Sequence, residues 1–358
     1  MKKVKVGVVG LGEVAQITHL PILQALSDKF EIGALCDVSP SLVQWAGERY
    51  GVDKLYTDAA ELAKQPDLDA VFVLNSDEYH TETALSAIRN GKHVLIEKPM
   101  TLTQSDADAI IRAKNEAGVH VMVAYMRRYA PAFTEAAEKL KSFGPIRYVR
   151  IRDIIGQNAL IIEQTSVVQR FLDIPPSLIE DRKARAERMV AEALGDVPDD
   201  IKSAYRLLCG LNSHDLSAMR ELFGMPKRVV SAVQWNGGRY IAAIFEYDGF
   251  YATFETGVDL QRRFDAHIEI YGDTKQMRIQ YDTPYIRHLP TVVHTGETIG
   301  DSYRESVNRP TFKDPYTVEL EAFYDLLTKG VSVKATPEDY KDDLTLFKMI
   351  CDALLQQC

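Results

Sequence analysis

Val4-Lys5-Val6-Gly7-Val8-Val9-Gly10-Leu11-Gly12-Glu13-Val14-Ala15 decides how the chain is read. The first six residues form a short apolar β-type run. The next six carry glycines at the first and third positions and a small residue at the sixth, and Val14–Ser27 then has helical periodicity. A GxGxxA pattern between a strand and a helix is a dinucleotide fingerprint. Gly10 permits the tight turn, Gly12 lets the backbone approach a pyrophosphate at the helix N-terminus, and Ala15 lets helix and strand pack closely. Leu11, Glu13 and Val14 complete the turn.

Outward from that turn the pattern repeats. Ile32–Cys36, Ala70–Leu74, His93–Ile96 and Val119–Ala124 read as further strands. Pro40–Tyr50, Ala59–Lys64, Thr81–Asn90 and Thr103–Ala117 read as helices between them. Buried strands alternating with helices predict an N-terminal Rossmann domain, a doubly wound parallel sheet, over residues 1–125. After Tyr125 the alternation stops, and Ile146–Ile155, Arg228–Gln234, Tyr240–Tyr247, Phe250–Glu255, Ala266–Tyr271 and Gln276–Gln280 succeed one another as strands. Asp248-Gly249 is a two-residue hairpin signal whose turn positions both call for positive φ. Residues 126–358 are therefore expected to form a substrate-binding and oligomerisation α+β domain on an open, mainly antiparallel sheet. A helical insertion over about 156–205 presents Leu178, Arg182, Ala186, Met189, Val190 and Ala193 on one face. Val318–Leu327 and Leu344–Leu355 read as closing helices of the second domain, or as helices that pack back on the first.

At 358 residues the chain accommodates two such domains. A net charge of −9 disfavours nucleic acid, and no uncharged apolar run is long enough to cross a bilayer. Cys36, Cys209, Cys351 and Cys358 are scattered, which fits reduced thiols in a cytoplasmic protein. His19, His120, His267, His288 and His294 share no metal-ligand spacing, so no metal is assigned.

Asp37 closes the second strand, where a carboxylate accepts the adenosine ribose hydroxyls and repels a 2′-phosphate, favouring NAD(H) over NADP(H). Asn90-Gly91-Lys92-His93-Val94-Leu95-Ile96-Glu97-Lys98-Pro99-Met100 puts an acid and a lysine at the C-terminal end of a buried strand, where open α/β sheets bind ligands. Pro99 biases Lys98 to extended backbone and aims its ammonium into the crevice, where it can hydrogen-bond a substrate oxygen.

The GxGxxA turn, Asn75 and His80 after the third main strand, Glu97-Lys98-Pro99 and a later His-Asp helix start together resemble the Gfo/Idh/MocA oxidoreductases over essentially the whole chain. The resemblance implies that Lys98 is catalytic beside the nicotinamide and that Leu11, Glu13 and Val14 of the glycine-rich turn, Asn75, His80, Glu97 and Lys98 itself contact NAD. Leu211-Asn212-Ser213-His214-Asp215-Leu216 resembles the helix presenting a catalytic His in that family, making His214 the acid/base, a residue type whose unperturbed pKa suits proton exchange near neutrality. Tyr125-Met126-Arg127-Arg128-Tyr129 resembles the entry to the substrate domain, where Arg127 or Tyr125 could reach the nicotinamide side or a substrate hydroxyl. Tyr125, Asn212 and Asp215 are candidate substrate contacts.

Many sugar-oxidising members carry Asp four residues before this His, where this chain has Gly210. Lys98 and His214 suffice, or Asp215, Tyr205 or Tyr125 substitutes, or the reaction has changed. The resemblance implies an NAD(H)-dependent dehydrogenase acting on a sugar, cyclitol or sugar derivative. The alternatives are a non-catalytic NAD-binding sensor and an NAD-assisted hydrolase or lyase. The sheet of the second domain, with alternating apolar residues in Ile241–Phe245 and Phe250–Phe254, is expected to join a homodimer or homotetramer.

Overall fold

A computed structural model describes residues 2–356, so Cys358 lies outside the described residues. The strands are β1 Val4–Val9, β2 Phe30–Cys36, β3 Leu55–Tyr56, β4 Ala70–Val73, β5 His93–Glu97 and β6 Val121–Ala124, followed by β7 Tyr148–Gly156, β8 Arg228–Trp235, β9 Tyr240–Glu246, β10 Tyr251–Asp259, β11 Phe264–Tyr271, β12 Lys275–Tyr281, β13 Val292–Ile299 and β14 Ser302–Asn308. The first six make an all-parallel sheet in the order β3-β2-β1-β4-β5-β6. The order reverses direction at β1, so the topological switch point, where such sheets bind ligands, falls beside the glycine-rich turn. Val6, Val8, Phe72, Val94, Leu95 and Ile96 are buried, the continuous apolar character that strands covered on both faces require.

The other eight strands make a sheet in the order β14-β13-β12-β11-β7-β10-β9-β8. It is antiparallel except where β10 runs parallel to β7. Strands β13 and β14 were not apparent in the sequence, and every residue of β14 is exposed, which leaves no apolar alternation to read. Two hairpins differ in turn chemistry. At Asp248-Gly249 only Gly249 has positive φ, at 85°, which corrects the expectation of two such positions. A Cβ makes that region costly for Asp248, and a four-residue loop closed by Tyr247 N–H donating to Phe250 O at 3.0 Å needs one left-handed residue. Between β8 and β9, Asn236, Gly237 and Gly238 are all left-handed.

The chain forms two compact units. Among the described residues the first comprises 2–124, Ser166–Gly195 and Glu319–Lys341, and the second Tyr125–Thr165, Asp196–Val318 and 342–356. The chain thus first leaves the parallel-sheet unit at Tyr125 but returns to it twice. Phe323 packs edge-on against Phe72 of β4 at 5.7 Å, Tyr324 against Phe30 of β2 at 5.6 Å, and Val123 N–H donates to Ala335 O at 2.9 Å.

The helix Pro176–Leu194 of the insertion buries only Val190. Leu178 and Arg182, expected on its packed face, are exposed. The anchors are polar: Asp181 accepts from the Tyr79 hydroxyl at 2.7 Å, and the Arg185 guanidinium lies 4.5 Å from the Tyr79 ring centroid and pairs with Glu82. Among the described residues no helix is long and apolar enough to cross a membrane.

Candidate active site

In the first unit the chain leaves β1 through Gly10, whose φ is 93°. A Cβ there would lie 2.3 Å from the backbone nitrogen of Asn75, so only glycine lets the turn rest against the segment after β4. A Cβ on Gly12 would meet nothing within 4 Å, which leaves the backbone open to a large group. Leu11 buries its side chain and offers only its backbone. Its N–H donates to Asp37 Oδ2 at 2.8 Å, and the Ser39 N–H donates to Asp37 Oδ1 at 3.0 Å. Burial pushes the Asp37 carboxyl above its ordinary value, while these two N–H groups oppose the rise. An open glycine and a carboxylate at adjacent strand ends fit the pyrophosphate and ribose of a dinucleotide.

The helix after the turn begins as a π-turn, Ala15–His19, a wider coil often found at functional sites. It ends on His19, which is fully buried, with Nε2 2.8 Å from Glu97 Oε1. Glu97 Oε2 accepts from the Lys98 N–H at 3.0 Å. Burial alone would raise the Glu97 carboxyl, but the hydrogen bond and charge of His19, with the nearby Lys98, hold it below the ordinary glutamate value. Glu97 is therefore fixed at both oxygens and sets the backbone from which Lys98 departs. The Lys98–Pro99 peptide is cis. His80 is buried with Nδ1 2.8 Å from Pro99 O and Nε2 2.9 Å from Asn75 O, so it ties the turn after β4 to the turn after β5. Asn75 Nδ2 donates to Thr83 Oγ1 at 3.0 Å.

In the second unit a π-turn, Leu208–Asn212, leads into the helix Ser213–Phe223 that bears His214 near its start. Asn212 is buried and donates to Thr256 Oγ1 at 2.8 Å, which in turn donates to Asp153 O at 3.0 Å. Asp215 is fully buried and pairs with Arg127, which also pairs with Asp153 at 3.1 Å. The Arg127 guanidinium stands over the rings of Phe264 and Tyr281 at 5.4 and 5.2 Å. One buried cation thus faces two carboxylates. Burial, and then the neighbouring Asp153, push the Asp215 carboxyl well above its ordinary range against the pull of Arg127. Tyr125, also buried, donates its hydroxyl to Asp343 Oδ2 at 2.6 Å, and Arg220 Nε donates to Asp343 Oδ1 at 2.7 Å. Arg127, Asn212, Asp215 and Tyr125 therefore anchor the His214 helix from inside the unit instead of presenting their polar atoms outward. A Cβ on Gly210 would meet nothing within 4 Å.

Sequence reasoning missed His19, Asp153, Thr256 and Asp343. His19 had a readable signal, since the residue four after Ala15 shares its helical face and so points at the strand ends. The other three partner residues about 60 to 220 positions away or lie in strands that carry no motif, and spacing reveals nothing of them.

Residues 4–125 match the model of the oxidoreductase family with an NAD-binding Rossmann fold, GFO_IDH_MocA. A myo-inositol 2-dehydrogenase of Thermotoga maritima is 32% identical over 138 residues, 38% of this chain and 41% of that protein. The chain thus spans less than half the length of that relative in the match. An inositol 2-dehydrogenase of Salmonella typhimurium is 22% identical over 333 residues, covering 91% of this chain and 87% of the other. The solved structure of a 3-ketoreductase variant from Actinomadura kijaniata, in complex with TDP-benzene and NADP, superposes with a TM-score of 0.73 at 20% identity over 99% of this chain and 98% of that one, a likeness of fold.

Proposed function

Since the chain belongs, through its Rossmann domain, to the Gfo/Idh/MocA oxidoreductase family, we propose that it interconverts a secondary alcohol and a ketone on a sugar, cyclitol or sugar derivative, using NAD(H) in the cytoplasm. The observation that carries this reading is the fixed Glu97-Lys98 pair at the end of β5, in the same sheet as the open turn at Gly12. A bound nicotinamide would supply the hydride acceptor or donor. Gly10, Gly12, Glu13 and Val14 hold the pyrophosphate side, and Asp37 the ribose. Asn75 and His80 shape the floor by fixing the turns after β4 and β5.

Lys98 donates a hydrogen bond from Nζ to the substrate oxygen and stabilises negative charge there. His214 takes the hydroxyl proton in oxidation and returns it in reduction. Arg127 and Asp215 act at one remove by fixing the helix on which His214 sits.

The test follows reduced-nicotinamide absorbance with NAD⁺ across cyclitols, aldoses and sugar acids. Wild type is expected to turn over at least one of these, with Lys98→Ala and His214→Ala slower by about 10²–10⁴-fold and binding retained. Gly210 favours a second reading, an NAD-binding sensor. NAD⁺ binding with no turnover on the panel selects it, whereas catalysis without net NADH accumulation selects a redox-assisted hydrolase or lyase.

A further inference from the structure

Residues 166–175 contain no helix or strand, yet they belong to the same compact unit as the glycine-rich turn. Three sets of contacts hold them to it. Gln16 Nε2 donates to Gln169 O at 3.1 Å, and Gln16 Oε1 accepts from the Gln169 N–H at 2.9 Å. Arg170 pairs with Glu13 at 2.7 Å. Asp173 Oδ1 accepts from Ser39 Oγ at 2.5 Å, and Asp173 Oδ2 accepts from the Ser41 N–H at 2.9 Å.

The third contact is chemically the most specific. Ser39 follows Asp37 by two residues, gives its N–H to the Asp37 carboxylate, and caps the helix Pro40–Tyr50 by accepting from the Leu42 N–H. A serine hydroxyl and a free N–H at a helix N-terminus are the donors that a phosphate takes. They stand beside the carboxylate expected to hold the adenosine ribose. Here both donors are already taken by an anion of the chain itself. The same two hydrogen bonds hold the Asp173 carboxyl down at about 2, so it stays charged through the neutral range.

We propose that Asp173 is a cofactor-selectivity residue: its carboxylate fills the anion position that the 2′-phosphate of NADP(H) would need, and so confines the protein to NAD(H). This rests on the reading that the Gly10 turn and Asp37 hold a nicotinamide dinucleotide. The two acids then have separate tasks. Asp37 accepts ribose hydroxyls but leaves Ser39 Oγ and the Ser41 N–H within reach of a phosphate, and Asp173 withdraws them. A phosphate monoester of charge about −1.5 to −2 would meet a second carboxylate and no donors. The insertion thereby acquires a role in choosing the cofactor.

Calorimetric titration of the full chain with NAD⁺ and with NADP⁺ tests this in wild type, Asp173→Ala and Asp173→Asn. Wild type is expected to prefer NAD⁺. Asp173→Ala should raise NADP⁺ affinity relative to NAD⁺ by about tenfold or more, with NAD⁺ affinity itself changed by less than about threefold. Asp173→Asn removes the charge and keeps one acceptor oxygen in place of two, so it occupies only part of the anion position and should fall between. An unchanged affinity ratio in both variants, or equal weakening of both dinucleotides, would make Asp173 a loop latch and overturn the inference. Wild type binding NADP⁺ as tightly as NAD⁺ overturns it while leaving the proposed function standing. Wild type binding neither overturns both.

Discussion

Arg127, Asp153 and Asp215 form a deeply buried ionic group in the second unit, a cation between two carboxylates. Removing one member of such a group leaves uncompensated charge in the interior. Arg127→Met is expected to cost about 3–5 kcal/mol in urea unfolding. Asp215→Asn is expected to cost less than Arg127→Met, since burial and the neighbouring Asp153 already raise that carboxyl and weaken its hold on a charge. A carboxyl whose folded pKa exceeds its unfolded value binds protons more tightly in the native state. Its contribution to stability therefore falls as pH rises from about 3.9, the unfolded aspartate value, through the raised folded one. The melting temperature of Asp215→Asn relative to wild type should accordingly climb with pH across that window, and a difference independent of pH would count against the raised carboxyl. Asp37, also raised by burial, loses acceptor capacity for the ribose hydroxyls when it is protonated, since both its oxygens already accept backbone N–H groups. NAD⁺ affinity should weaken as pH falls through its folded pKa, by at most about tenfold per pH unit, and Asp37→Asn should lose that slope.

Two π-turns, Ala15–His19 and Leu208–Asn212, stand where each unit brings out its chemistry. The second contains Gly210, around which there is room for a side chain. Gly210→Asp is expected to fold with stability within about 1 kcal/mol of wild type, the ordinary range of uncrowded substitutions. Gly10→Ala is expected to abolish dinucleotide binding, because a Cβ in that left-handed turn would strike the backbone of Asn75. Equilibrium unfolding with NAD⁺ titration checks both. The glycine-rich turn could be read from sequence because it is local: strand, turn and helix lie within a dozen residues, and each glycine answers one steric demand. Lys98 could be placed at a strand end for the same reason. The support beneath them was only half legible: spacing from Ala15 puts His19 on the face toward the strand ends, but its partner Glu97 lies 78 positions away, and a hydrogen bond of that separation leaves no periodic trace.

The eight-stranded sheet illustrates how patterning and placement differ over the whole molecule. Ile241, Phe245 and Phe254, expected to contribute to an uncovered apolar face, are buried within their unit. The alternate positions face outward, and there Val233, Ile244 and Tyr251 are exposed beside a lattice of ion pairs, Arg150 and Arg152 with Glu255 and Arg152 with Asp265. Period-two alternation identified the strands but assigned the wrong residues to the outside, since the direction of a face depends on what packs against it. We propose that this outer face joins copies of the chain. Ile244→Asp should then lower the mass found by light scattering to that of one chain, while a wild-type monomer would refute the interface.

The return of residues 166–195 and 319–341 to the parallel-sheet unit also bears on how the protein is made. A ribosome has released the entire segment that matches the family model while Phe72 and Phe30 still lack the aromatic partners supplied by Phe323 and Tyr324. The nascent Rossmann sheet must wait with an uncovered apolar flank until residues 319–341 have been synthesised, so a fragment ending at Tyr125 should aggregate.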